Sequence, residues 1–232
     1  MKENTEELEK IIGWEFNDKS LLEEALTHSS YAFEKNIEDN EKLEFFGDSV
    51  FGYVVSEYIY KNYKNLTEGE MSKLKAIAVG MDTIFKLSKK LELGRYLILG
   101  KGEEKSKGRK KKRIVVSAFE ALVGALSIDA GIELTRDFII KLMGNFFSDF
   151  EKGMVKIEDP KSELQEYVQK SGLSLPEYRI IKEEGPNHLK VFYVELNIGE
   201  KKIAEGRGRS KKQAEQRAAK KALELLKKAN QK

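Results

Sequence analysis

Apolar residues recur at helical spacing through the first two-thirds of the chain. Leu21, Leu22, Ala25 and Leu26 form a stripe behind Asn17 and Asp18, both good helix starters. Leu43, Phe46, Val50, Tyr53 and Val54 predict a long, largely buried helix. Thr67 followed by Glu70 has capping-box spacing, and a helix through Met71, Leu74 and Ile77 follows. Another helix runs from about Met81 to Leu91 and ends near Gly94. The stretch from Ile114 to Ile128 is apolar nearly all round, which marks a central helix, and Leu134 to about Phe150 forms the last helix of this part. No strand is predicted before residue 150.

The period then changes to two. Phe192, Val194, Leu196 and Ile198 alternate with Tyr193, Glu195 and Asn197, as in a half-buried strand. Pro176 to Lys182 reads as the strand before it. Lys202 to Gly208 reads as the strand after it, beyond a turn at Gly199-Glu200. A short helix from Lys161 to Gln169 precedes the strands. A longer one from Ser210 follows, with Ala214, Ala218, Ala222, Leu225 and Leu226 on one face. The expectation is an all-α domain over 1–152, a linker over 153–158, and a small α+β domain over 159–232. In the second domain, three meandering strands carry both helices on one face.

Composition sharpens this division. The chain has 232 residues, 40% of them hydrophobic, enough for ordinary cores, and 35% charged. From Ile157 onward there are 17 Lys and Arg against 12 Asp and Glu, while the residues before it carry 25 against 27. A basic second part is suited to an anionic partner. With no cysteine, disulfide frameworks, thiolate zinc sites and Cys nucleophiles are excluded. The first twelve residues are charged, and no apolar run of the ~18 residues that a membrane span needs is expected, so a soluble cytoplasmic protein is the default.

The candidate chemistry is acidic. Glu41, Glu44 and Asp48 lie at helical offsets of three and four, so their carboxylates share one face. Glu120 adds a carboxylate to the nearly all-apolar central helix, where it must be paired, protonated or bound to metal. Oxygen ligands without Cys suit Mg²⁺ or Mn²⁺. The same acids could instead form ordinary salt bridges with neighbouring Lys.

Residues 40–51, NEKLEFFGDSVF, resemble the signature stretch of ribonuclease III. Thr27-His28-Ser29-Ser30-Tyr31, Gly69-Glu70-Met71-Ser72, Leu99-Gly100-Lys101-Gly102-Glu103 and Ala118-Phe119-Glu120-Ala121-Leu122-Val123-Gly124 also match, in the family's order. The resemblance implies a metal-dependent endonuclease of double-stranded RNA that leaves 5′-phosphate and 3′-hydroxyl ends in the processing of ribosomal and messenger RNA. It implies a homodimer formed through the helical domain. Glu44, Asp48 and Glu120 then correspond to metal-binding and catalytic carboxylates, and Glu41 and Glu68 to two further acids of the catalytic valley. One position departs from the family. Asp is usual three residues before the last glutamate, and here Ser117 stands there, facing the metal as a poorer ligand. A chain that binds duplex RNA but cuts it weakly or not at all is therefore the alternative. His28 falls in the family's Thr-His-Ser motif and is expected to bond and brace rather than to act as a base.

The second part resembles a double-stranded-RNA-binding domain. Ser162, Gln165 and Glu166 on its first helix are expected at minor-groove 2′-hydroxyls, and the turn at Pro186, Asn187 and His188 at the next minor groove. Ser210, Lys211 and Lys212 open the last helix, where ammonium groups and free backbone N–H groups grip phosphate. Finally, seven of the nine residues from Lys105 to Arg113 are basic, read equally as an RNA-touching mobile loop or a solvated one.

Overall fold

A computed structural model of the chain describes residues 2–155, 157, 160–186 and 190–229. The chain divides into two compact units, 1–157 and 158–232. The expected linker, 153–158, falls around this division, and Lys156, Glu158 and Asp159 lie outside the described residues.

In the first unit the described residues form eight helices: α1 (Lys2–Ile12), α2 (Lys19–Leu26), α3 (Ser29–Lys35), α4 (Glu41–Asn62), α5 (Glu68–Ala78), α6 (Met81–Lys90), α7 (Lys101–Lys105) and α8 (Lys112–Glu151). Local chemistry starts several of them where expected. The Asp18 carboxylate caps α2 by accepting from Ser20 N. Thr67 and Glu70 close a reciprocal capping box on α5. Glu41 and Glu44 lie in the first turn of α4, where the helix dipole favours negative charge.

The core is built around α4 and α8. Phe51 meets Phe119 edge-to-face at 5.5 Å, and Leu43, Val54, Leu122 and Leu126 are buried with them. Residues 112–151 form one hydrogen-bonded run with a break at Gly131 (φ 81°, ψ 170°), a backbone state that favours glycine. The two predicted helices are thus two arms on either side of that residue. By length and composition α8 could cross a membrane, contrary to the expectation that no apolar run approaches that length. Most of its apolar side chains are instead packed into the core of the unit.

Two local expectations need correction. Phe46 and Tyr53 were placed in the buried stripe of α4, yet they are 40% and 52% exposed, because the buried stripe runs through Gly47, Val50, Phe51, Val54 and Val55. The left-handed residue after α6 is Glu92 (φ 50°), not Gly94. Gly94 is small for another reason: a Cβ there would sit 2.5 Å from the Arg109 carbonyl oxygen.

The second unit contains α9 (Pro160–Lys170), β1 (Pro176–Glu184), β2 (Val191–Ile198), β3 (Lys201–Gly208) and α10 (Lys211–Ala229). The strands form an antiparallel sheet in the order β1-β2-β3. Leu196 and Ile198 of β2 pack with Leu164 and Val168 of α9 and with Ala218 and Ala222 of α10, and Val194 and Ala214 are buried as well. Leu225, expected on the buried face of α10, is 46% exposed. At Gly206 and Gly208 the strand presses on α10, since a Cβ would lie 2.0 Å from the Ala214 carbonyl oxygen and 2.6 Å from Ala214 N respectively. This contact fixes the first turn of α10.

Candidate active site

Two glycines bring the acids of α4 and α8 together. A Cβ on Gly47 would lie 1.7 Å from the Glu120 carbonyl oxygen, and one on Gly124 would lie 2.5 Å from the Leu43 carbonyl oxygen. The helices cross at closest backbone approach only because both positions lack a side chain. Glu44 and Asp48 flank Gly47, and Ser117 and Glu120 precede Gly124, so the crossing sets these four side chains along one opening. The cleft has a volume of about 920 Å³. Glu41, Glu44, Asp48, Ser117 and Glu120 all line it.

The facing wall is stitched to the helices by backbone and side-chain hydrogen bonds. Thr27 pairs with Ile98 in a short parallel bridge, and His28 N donates to the Ile98 carbonyl at 3.0 Å. Asn40, buried at the start of α4, donates from Nδ2 to the Ala25 carbonyl at 3.2 Å. Gly100 N donates to Ser30 Oγ at 2.9 Å, and Lys101 N to Glu34 Oε1 at 2.8 Å. These bonds set His28, Glu103 and Lys111 on the cleft. His28 caps α3, its Nδ1 accepting from Ser30 N at 3.2 Å, which is the bracing role expected of it.

Glu120 is half-buried, and its pKa is raised to about 7, first by burial and then by the Asp48 and Glu44 carboxylates. None of Glu41, Glu44, Asp48 and Glu120 is in an ion pair among the described residues. Lys42, the nearest candidate in sequence, turns to Glu38 at 2.7 Å. The ordinary salt-bridge reading of these acids therefore fails. Among the described residues, no three acidic or imidazole groups close into a preformed metal cage. Like charges without a cation spread apart, and Mg²⁺ keeps several waters and takes few carboxylates directly. The donor set is all oxygen, and Glu120 lacks a counter-cation; both features fit a hard dication.

Glu68 is not brought to this cleft. It stands in the first turn of α5 and accepts from Ser72 Oγ at 2.8 Å. Asp129 also belongs elsewhere, accepting from Trp14 Nε1 at 2.7 Å and from Asn17 N and Asp18 N at 2.9 Å. The basic stretch is built into the structure rather than left as a free loop. Arg109 pairs with Glu104 at 2.9 Å, Lys111 with Glu103 at 2.5 Å, and Lys112 with Asp82. Lys105, Lys107, Lys110 and Arg113 stay exposed. The glycine pair, Asn40, Glu103, Lys111 and Arg113 were not singled out from the sequence as parts of this site. Glycine inside a long helix is the one signal that could have pointed to the crossing.

In the second unit, Ser162, Gln165, Glu166 and Pro186 are exposed, and Asn187 and His188 lie outside the described residues. Ser210 Oγ accepts from Gln213 N at 3.2 Å and caps α10, while Lys211 and Lys212 are exposed beside it.

A family profile described as Ribonuclease-III-like matches residues 18–146, and one described as Double-stranded RNA binding motif matches residues 160–226. The chain is 46% identical over 223 residues to Ribonuclease 3 of Clostridium tetani, covering 95% of this chain and 94% of that protein. It is 44% identical over 229 residues to Ribonuclease 3 of Carboxydothermus hydrogenoformans, covering 97% of each. The nuclease domain of ribonuclease III from Campylobacter jejuni superposes with a TM-score of 0.57 at 38% identity, covering 61% of this chain and 95% of that one. A helical nuclease unit followed by a double-stranded-RNA-binding unit defines the class: an endoribonuclease with its own RNA-binding domain. The chain belongs to the ribonuclease III family.

Proposed function

We propose that this endonuclease hydrolyses the phosphodiester bonds of double-stranded RNA with divalent metal, leaving 5′-phosphate and 3′-hydroxyl ends. The observation that carries the reading is the meeting of Glu44, Asp48 and Glu120, from two helices, at one open cleft, with none of them in an ion pair among the described residues. These three carboxylates and the Ser117 hydroxyl would hold Mg²⁺ or Mn²⁺. Bound there, the metal would supply an activated water and charge neutralisation at the phosphate. Without metal, burial and the Asp48 and Glu44 carboxylates disfavour the Glu120 charge, and a bound dication would hold it ionised as a ligand. Glu41 adds negative charge at the mouth of the cleft. Water attacks directly, so neither a covalent enzyme intermediate nor the RNA 2′-hydroxyl takes part.

The test is incubation of the full chain with a long RNA duplex and Mg²⁺, with end analysis of the products. Cutting to 5′-phosphate ends is expected; an intact duplex overturns the reading. Ser117 supports a second reading, a duplex-binding protein with weak or lost cleavage, because a neutral hydroxyl stands at the cleft where the family has a carboxylate. Cleavage that appears only in Ser117→Asp would establish it.

The second unit would supply the grip on the duplex, through the exposed face of α9, the segment after β1 and the start of α10. Lys211→Ala with Lys212→Ala is expected to weaken duplex binding and to flatten its dependence on salt by about 2 in log–log slope. An unchanged slope in a filter-binding titration would count against this surface.

The helical unit is read as the homodimer contact. Phe45, Tyr53 and Tyr60 form an exposed stripe on α4, 79%, 52% and 65% accessible. The related Campylobacter jejuni nuclease domain has a region involved in dimer formation. Sedimentation at the mass of a single chain would refute this. A role in processing ribosomal and messenger RNA in the cytoplasm completes the reading, and it is consistent with a chain that has no cysteine. Accumulation of uncut RNA precursors on depletion of the protein is the expected result.

A further inference from the structure

We propose that Arg113 is a substrate-positioning residue that grips an RNA phosphate inside the acid-lined cleft. The inference rests on the nuclease reading of that cleft. Arg113, Ser117 and Glu120 follow one another at offsets of four and three at the start of α8, so they share a helix face, and all three line the cleft. The Arg113 side chain is exposed, and no carboxylate among the described residues closes on it.

Its neighbours are engaged elsewhere. Lys111, the other cation lining the cleft, is held by Glu103 at 2.5 Å and Ser106 at 2.8 Å. Lys112 is taken by Asp82. The cleft thus holds carboxylates and a guanidinium that close no ion pair among the described residues. A ligand that satisfies both must be an anion carried in with a hard cation, and a backbone phosphate meets that description. The planar guanidinium fork matches two non-bridging phosphate oxygens and stays charged at every working pH.

Ser117 makes this role available. A carboxylate at that position would stand four residues beyond Arg113 on the same face and draw the guanidinium into an ion pair. With a hydroxyl there, the fork remains open to substrate. Arg113 and Ser117 are then two parts of one adaptation, a cleft that exchanges a carboxylate for a direct hold on the phosphate.

Duplex binding by the full chain is measured in a Glu120→Gln background, so that the RNA stays intact, with Mg²⁺ held constant and KCl varied. Arg113→Ala should reduce the log–log salt slope by about 1 per chain and weaken binding about 10-fold. Arg113→Lys should keep the slope, because the charge remains, and lose part of the affinity, because an ammonium cannot bond bidentately. An unchanged slope in Arg113→Ala overturns the assignment. A reduced slope accompanied by a lower melting temperature overturns it too, placing the residue in the fold instead. The cleavage assay with the native chain decides the nuclease reading separately, since the slope reports on Arg113 whether or not the RNA is cut.

Discussion

Glu120→Gln is expected to lower duplex cleavage on the order of 10³-fold while raising the stability of the metal-free protein above neutral pH. Both effects come from one carboxyl group. In the folded chain its pKa is about 7, above the ordinary value of 4.5, because burial and the Asp48 and Glu44 carboxylates disfavour the charge. Between those two values the folded state holds a proton that the unfolded state has released. Stability therefore falls as pH rises from about 4.5 to about 7 and is not regained above that. Gln never ionises, so the variant should match the native chain near pH 4.5 and exceed it at pH 8 by about 2 kcal/mol, allowing for the partial exposure of the group. Mg²⁺ should reverse the order by stabilising the native chain alone. Melting curves at both pH values, with and without Mg²⁺, check this. Equal stability at pH 8 in chelator would show that Glu120 carries no such burden.

Gly47→Ala should cost the helical unit about 3 kcal/mol or more and take the cleavage activity with it. Ala is the better helix former by about 1 kcal/mol, so propensity alone predicts a gain. Packing decides otherwise. The new methyl would sit 1.7 Å from the Glu120 carbonyl oxygen, and backbone cannot swing aside as a side chain can. The helices must part, and Glu44 and Asp48 retreat from Glu120. Gly144→Ala is the control: it lies in the same fold on α8, with nothing within 4 Å of its Cβ, and should gain up to about 1 kcal/mol. If Gly47→Ala melts with the native chain and still cuts RNA, the crossing does not build the site.

The two variants separate what an acid does from what holds it in place. Glu120→Gln leaves the helix crossing untouched and removes one charge. Gly47→Ala leaves every acid in the chain and moves them apart. Loss of cleavage in both, with loss of stability only in the second, is the pattern that the geometry of α4 and α8 demands.

Much of this protein was legible before any coordinates. The periods of 3.6 and two separated a helical part from a helix–strand–helix part, because burial on one face writes itself into local spacing. The capping box at Thr67 and Glu70 was readable for the same reason, since both partners lie within one turn. So was the acidic face of Glu41, Glu44 and Asp48, and the matching motifs pointed to the family.

What needed the tertiary structure was every relation between distant segments. No spacing rule joins residue 47 to residue 120, and the bond from Gly100 to Ser30 spans 70 residues. Exposure of Phe46 and Tyr53 depended on which neighbours α4 received, and Glu68 was drawn to Ser72 rather than to the cleft. Arg113 was one charge among seven until the fold occupied Arg109, Lys111 and Lys112 and left it facing the acids. Sequence alone determined the elements and the kinds of chemistry at hand, because those depend on neighbours along the chain. The partners were decided in three dimensions, because pairing and burial depend on which surfaces meet.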